Sequence, residues 1–389
     1  MLDMIRRLLI APATLLTLSL CLGACSSVTY QLDVAERLDG MQIAQLRADV
    51  EALCAIGPRP IENEDATAKT VAWLHTRLES MGLLVKEEPV SLRPQLGRLV
   101  AKVRRPDADP ESEPLQLELP AYITTYGPRV LRGQSQRLRD EGWEVLGYSL
   151  QPETQADSDV VAPNLLVEIR GTTDPTSIIE IGAHYDTVPG SPGADDNSSG
   201  VAALLELARV LKDAEPAKTI RLCFFAAEEA GLVGSGVHVD NALERKEDIE
   251  AFLNLDSVGF ASDAEDSQAA PVRIVLVTWM PSVGDFVTVI GNWSSGSLGN
   301  LFEDAADTYV PDLPLYSANR IGGFFQDGHR SDHAHYWEAG IPALFLTDTG
   351  EFRSDRYHMP YDTADTLDYD FLRKIAVATG ATALELANR

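Results

Sequence analysis

The spacing of apolar positions changes character along the chain, and each change predicts a different element. From about Val28 to Gly57 the spacing is helical and runs into the turn Gly57-Pro58-Arg59-Pro60. A second helix is predicted over Asn63–Met81, with Val71, Leu74 and Leu78 on one face and Gly82 stopping it. Between Arg93 and Ala162 the pattern loosens into Pro, Asp, Glu and Gln with short strand-like pieces, Leu115–Leu119 and Glu144–Leu150. This stretch reads as an elaborated β-hairpin region within the same domain. Compact apolar runs then alternate with helical ones. Asn164–Arg170, Ser177–Ala183, Thr219–Ala226, Ala251–Leu255, Val272–Val277 and Pro342–Leu346 are predicted strands; Gly200–Leu211 and Phe371–Ala387 are predicted helices. Such alternation argues an α/β fold with a largely parallel or mixed sheet. Active sites of these sheets form beyond the carboxyl ends of the strands, so the residue after each strand is where chemistry is expected.

Composition narrows the class. The 389 residues are 45% hydrophobic and 23% charged, as in soluble globular proteins, and suffice for one large catalytic domain or two ordinary ones. Acidic residues outnumber basic ones 59 to 32, for a net charge of -27. Phosphates would be repelled, so a nucleic-acid partner is excluded. At the start, Arg6 and Arg7 precede an apolar run from Leu8 to Leu22 that is too short for a confident membrane span. It ends in Leu22-Gly23-Ala24-Cys25, which resembles a bacterial lipobox. The resemblance implies a signal peptide over residues 1–24, a lipid on Cys25 and a tether to a membrane surface. With Ser26 next, it implies the bacterial cell envelope, at the outer membrane facing the periplasm or exterior. Cleavage of an ordinary signal would instead leave a soluble secreted protein. Of the remaining cysteines, Cys54 and Cys223 could pair in an oxidising compartment, although the apolar run around Cys223 favours a buried free thiol.

The predicted strand ends share acids and histidines. His184-Tyr185-Asp186-Thr187 closes one strand, and Gly193-Ala194-Asp195-Asp196-Asn197 follows before a helix. Glu228-Glu229, Asn254-Leu255-Asp256 and Tyr357-His358 come later. Each piece alone has a bland reading, such as an N-cap or a solvated loop. Together they offer imidazole and carboxylate ligands for a pair of divalent metals, zinc rather than calcium, with no thiolate. Asp186, two residues from His184, points to the same side of an extended chain and could orient its ring. Of the adjacent Glu228 and Glu229, one can bind metal while the other takes a proton from bound water.

These motifs resemble the zinc aminopeptidase family with a co-catalytic metal pair, which also includes glutamate carboxypeptidases and, more distantly, glutaminyl cyclases. The likeness runs from about Cys54 to the C-terminus, and it includes the turn at Gly57-Pro58-Arg59-Pro60. It implies a three-layer zinc-exopeptidase fold: a central mixed, mostly parallel sheet flanked by helices. Residues 25–389 would form a single catalytic domain with insertions near 93–162 and 261–326. It further implies two zinc ions, with His184 and Asp256 on the first, Glu229 and His358 on the second and Asp196 bridging. Glu228 would be the general base and Asp186 the acid orienting His184. Tyr357 would polarise the scissile carbonyl, and Asp332 and His333 would contact a peptide substrate. His75, His329 and His335 read as surface or structural residues, and His238 as a surface residue. Phe324, Phe325, Trp279 and Trp293 read either as core packing or as walls of a specificity pocket.

Several alternatives stay open. A carboxypeptidase for acidic peptides would need pocket arginines, for which Arg320, Arg330, Arg353 and Arg356 are candidates. A glutaminyl cyclase would use one metal. A non-catalytic surface-binding lipoprotein would not need Glu228. Oligomeric state and cleavage preference are open at this level.

Overall fold

The computed structural model describes residues 33–92, 96–109, 113–122, 138–139, 141–152, 160–270 and 280–389. The expected signal peptide, Cys25, the strand at Val272–Val277 and Trp279 lie outside the described residues.

The N-terminal helical pattern forms two pieces, 33–39 and α1 (Ile43–Ile56), separated around Gly40. The next helix is α2 (Glu64–Ser80), capped by Asn63, whose side chain accepts from the Ala66 amide. Eight strands build the main sheet: β1 (Val85–Leu92), β5 (Val160–Ile169), β6 (Asp174–His184), β7 (Lys218–Phe225), β8 (Asp248–Leu255), β9 (Val287–Gly291), β10 (Leu315–Ala318) and β11 (Ala343–Thr347). Their order is β1-β5-β7-β6-β8-β11-β9-β10. The central strands β7, β6, β8 and β11 run parallel, while β1, β5 and β9 join antiparallel. A three-stranded antiparallel sheet is separate, with β2 (Leu96–Arg104) between β3 (Leu115–Tyr122) and β4 (Glu144–Pro152). Ala101, Val103 and Leu138 form its small apolar cluster.

Strand β6 is central because both of its faces are covered. Ile178, Ile179, Ile181 and Ala183 are buried in one apolar run, as in a strand with layers on either side. Helix α3 (Gly200–Leu211) is buried almost throughout, and α7 (Tyr369–Ala387) packs on it. Helix α4 (Val233–Arg245) leads from β7 to β8, and the short α6 (His333–Glu338) precedes β11. The chain leaves β6 toward β7 on one side and then returns to β8 on the other. This reversal opens a crevice at the carboxyl ends of the central strands.

Strands β9 and β10, with α5 (Gly296–Tyr309) between them, come from the stretch read as an insertion near 261–326. They extend the main sheet rather than standing apart from it. Their apolar runs are short and have polar residues at the edge, too brief to separate from loop by periodicity alone.

Candidate active site

The register of the parallel strands gathers the chemistry. His184, the last residue of β6, pairs with Phe225 of β7, so Glu228 and Glu229 follow just beyond the same edge. Asp256 follows β8, and a loop before α7 brings in His358. Ala227, Ser257 and His358 have φ of 57°, 52° and 60°. Such left-handed values in non-glycine residues mark backbone held in place by its surroundings. Gly193 (φ 62°) supplies another, and a Cβ there would lie 2.4 Å from the Asp196 carbonyl oxygen.

Two groups of side chains result. His184 Nε2 lies 3.3 Å from Asp196 Oδ1, 3.7 Å from Asp256 Oδ1 and 3.9 Å from Glu228 Oε2. His358 Nε2 lies 3.0 Å from Asp196 Oδ2 and 3.3 Å from Glu229 Oε2. Asp196 thus gives one oxygen to each group. All of these side chains are buried, and neither Nε2 makes a hydrogen bond. Buried polar atoms are normally satisfied. His184, Glu228 and Asp256, and likewise Asp196, Glu229 and His358, each offer three donor atoms within 4.8 Å of one another, so each set could hold a metal ion; Glu180, Cys223 and His238 form a third such set.

Electrostatics agree. Burial pushes Glu228 well above the usual carboxylate range; His184 opposes this, while Glu229, Asp256 and Asp332 add to it. Burial likewise pushes Glu229 up to about 7, opposed by His358 and reinforced by Asp196. Burial would lower the histidines, but the surrounding carboxylates win, led by Glu228 at His184 and by Glu229 at His358, which rises to about 10. A bound cation relieves this crowding of acids.

The supporting residues differ in part from expectation. Asp186 stands beside the His184 ring as expected, its Oδ1 3.5 Å from His184 Nδ1, and it also holds backbone amides. Its Oδ1 accepts the Glu228 amide at 3.0 Å and its Oδ2 the Glu229 amide at 3.2 Å. The His184 Nδ1 is closer to the Asp186 carbonyl oxygen, 3.2 Å, than to its carboxylate, 3.5 Å. Ser331 donates to Asp256 Oδ2 at 2.5 Å and accepts from Asn254 Nδ2 at 2.6 Å, fixing that carboxylate. Asp362 accepts the amides of both Asp195 and Asp196. It falls in the Tyr357–Asp365 stretch, but nothing in the sequence sets it apart from its neighbours.

A cavity of about 130 Å³ opens beside the centre. Asp256 and Tyr357 lie at its edge, and Ile290, Tyr316, Phe325 and Phe345 are among its walls. The Tyr357 ring stacks on His358 at 3.8 Å. Asp332 and His333 do not line this cavity. Both are fully buried, and the His333 ring lies against Phe345. His333 is lowered to about 3 by burial, which suits a neutral ring wedged among aromatics. Phe324 and Trp293 are 79% and 78% exposed and so are not core residues. His329 and His335 belong to none of these three sets of potential ligands. His238, expected at the surface, is fully buried between Glu88 (3.0 Å) and Glu180 (3.1 Å). A polar residue on an otherwise mixed helix carries no mark of the acids that will meet it. Cys223 is a buried free thiol, and Cys54 is free and half-buried.

Residues 164–383 match peptidase family M28. The chain belongs to peptidase family M28. This M28 chain is 37% identical over 212 residues to the uncharacterized Escherichia coli protein YfbL, covering 51% of this chain and 64% of that protein. It is 31% identical over 219 residues to the aminopeptidase YwaD of Bacillus subtilis, covering 54% and 42%. The alignments therefore span less than two thirds of these relatives. An aminopeptidase from Aneurinibacillus sp. strain AM-1 has the same fold, with a TM-score of 0.61 at 18% identity over 92% of this M28 chain and 96% of that one. The expected fold, a mostly parallel sheet between helices, is the one observed.

Proposed function

We propose that this chain is a zinc-dependent aminopeptidase that removes N-terminal residues from peptides. The observation carrying this reading is the pair of buried imidazole nitrogens, His184 Nε2 and His358 Nε2, that lack hydrogen bonds and face opposite oxygens of Asp196. Membership of a peptidase family and aminopeptidase-named relatives support it.

In this reading His184 and Asp256 would hold one zinc, Glu229 and His358 a second, and Asp196 would join them. Bound zinc would polarise the scissile carbonyl and lower the pKa of a water from about 15.7 to about 7. Glu228 is the carboxylate of its group farthest from His184 Nε2, 3.9 Å against 3.3 and 3.7 Å. It takes the proton of the attacking water and delivers it to the leaving amine. Asp186 fixes the backbone of Glu228 and Glu229, so base and ligand keep separate directions. Tyr357, which lines the cavity and stacks on His358, would donate its hydroxyl to the carbonyl oxygen. The acid-rich centre suits a free ammonium, and the apolar cavity suits a large aliphatic or aromatic side chain.

The arginines argue against the acidic-carboxypeptidase alternative. Arg330 lines the cavity, but it is paired with Glu351 at 2.5 Å and lies 3.6 Å from Asp327. Arg353 is spent on Gln268 and the Phe286 carbonyl, Arg356 lies against Asp355, and Arg320 donates to Gly296 and Asn300. A panel of aminoacyl chromophores with and without N-acetylation tests the proposal. Leucyl or phenylalanyl substrates should be cleaved fastest and their acetylated forms left intact. Cleavage of blocked substrates, or trimming only from the C-terminus, would overturn it.

The lipobox-like Leu22–Cys25 supports a further reading: a lipid-anchored protein of the bacterial envelope, with residues 1–24 removed. Among the described residues no helix is long and apolar enough to cross a membrane. Labelled palmitate should enter the wild-type protein and not Cys25→Ala; equal labelling, or none in either, would reject the anchor.

A further inference from the structure

The turn Gly57-Pro58-Arg59-Pro60 has no part in the chemistry above, yet Arg59 is only 1% exposed. A buried guanidinium is costly unless its donors are met. Here they are met by uncharged acceptors. Its Nε donates to the Tyr185 carbonyl at 3.0 Å. One terminal nitrogen donates to the carbonyls of Leu53 (3.1 Å), Gly57 (3.3 Å) and Pro192 (2.8 Å). The other reaches the Gly193 carbonyl (3.4 Å) and Ser198 Oγ (2.9 Å). The Arg59 amide also donates to Thr187 Oγ1 at 2.9 Å, and its carbonyl accepts the Thr187 amide.

Apart from Leu53 and Gly57, which close the turn itself, these partners have one thing in common. Tyr185 and Thr187 flank Asp186 and follow His184. Pro192, Gly193 and Ser198 flank Asp195 and Asp196. One side chain therefore ties the segment carrying a ligand of the first group to the segment carrying the carboxylate shared by both. The cation also lies where acids gather: burial works against its charge, while Cys54, Asp186, Asp362 and Asp196 favour it. A neutral side chain could close the same turn with less desolvation cost. A planar fork of five donors reaches carbonyls on three segments at once, which lysine, with three donors, cannot reproduce.

We propose that Arg59 is a positioning residue for the metal centre, setting the spacing between His184 and Asp196. The inference rests on the metal-centre reading given above. The test compares wild type with Arg59→Lys, Arg59→Ala and the milder Ser198→Ala. Zinc affinity is measured by chelator competition on protein shown to be folded by circular dichroism and thermal melting, and kcat and KM are measured separately. Folded Arg59→Lys should bind zinc at least tenfold more weakly and lose kcat at least tenfold with KM changed less than threefold. Ser198→Ala should shift zinc affinity in the same direction by a smaller factor. Guanidinium ion should restore part of the kcat of Arg59→Ala and none of that of wild type. Zinc affinity and kcat within twofold of wild type in folded Arg59→Lys or Ser198→Ala would overturn the proposal. So would a loss of activity that only tracks the unfolded fraction. If wild type itself binds no zinc, the metal-centre reading falls as well, which separates the two failures.

Discussion

Glu228 and Glu229 are consecutive, both buried, and held by the two oxygens of one carboxylate, Asp186. Their directions nevertheless diverge, Glu229 toward His358 and Glu228 toward His184. Under the proposed chemistry this divergence separates a ligand from a base. Glu228→Gln keeps the shape and removes only the proton acceptor. Turnover of a leucyl substrate should fall about 10²–10⁴-fold, the range for loss of a general base, while zinc content by elemental analysis stays at the wild-type value. Loss of zinc together with turnover would instead make Glu228 a ligand. At this scale much was legible: the acids and histidines stand at predicted strand ends, where the topology gathers side chains. Arg59, Asp362 and His238 were not legible in their roles. Their partners are backbone atoms or acids far away in the chain, and neither leaves a local pattern.

Helix α4 carries His238 into a polar layer that crosses the sheet. His238 meets Glu88 of β1 and Glu180 of β6, and Glu180 also takes Arg221 of β7 at 2.8 Å and the Tyr336 hydroxyl at 2.7 Å. Burial opposes both carboxylate charges, but the His238 partner and its neighbours hold Glu88 and Glu180 down at about 2. Burial also opposes the imidazolium, but Glu180, with further help from Cys223, raises His238 well above its ordinary 6.5. The signs follow from linkage. The carboxylates' share of stability is present above their unfolded value of 4.5 and is lost as pH falls toward about 2. The His238 share is full below 6.5 and is lost as pH rises through its raised folded value. Removing one partner of a buried charged set costs about 3–5 kcal/mol. His238→Gln should therefore melt lower than wild type at pH 6, with the gap closing at alkaline pH. A gap that does not depend on pH would show that the ring acts by packing alone. Element order was legible where apolar runs were long, as in β6 and α3. It failed at β9 and β10, which gain strand character from pairing with β11 and with each other.

In the main sheet, β6, β7 and β8 deliver chemistry to one edge, closed by a C-terminal loop that brings His358 to the same place. The M28 relationship and the shared fold narrow the class of reaction, but one fold serves more than one chemistry. The proposed chemistry requires two cations joined by Asp196. The most direct measurement is an anomalous difference map at the zinc absorption edge from crystals of the zinc-loaded protein. Two peaks are expected, one bounded by His184, Asp256 and Asp196, the other by Asp196, Glu229 and His358. A single peak, peaks that Asp196 does not touch, or no peak at these residues would contradict it.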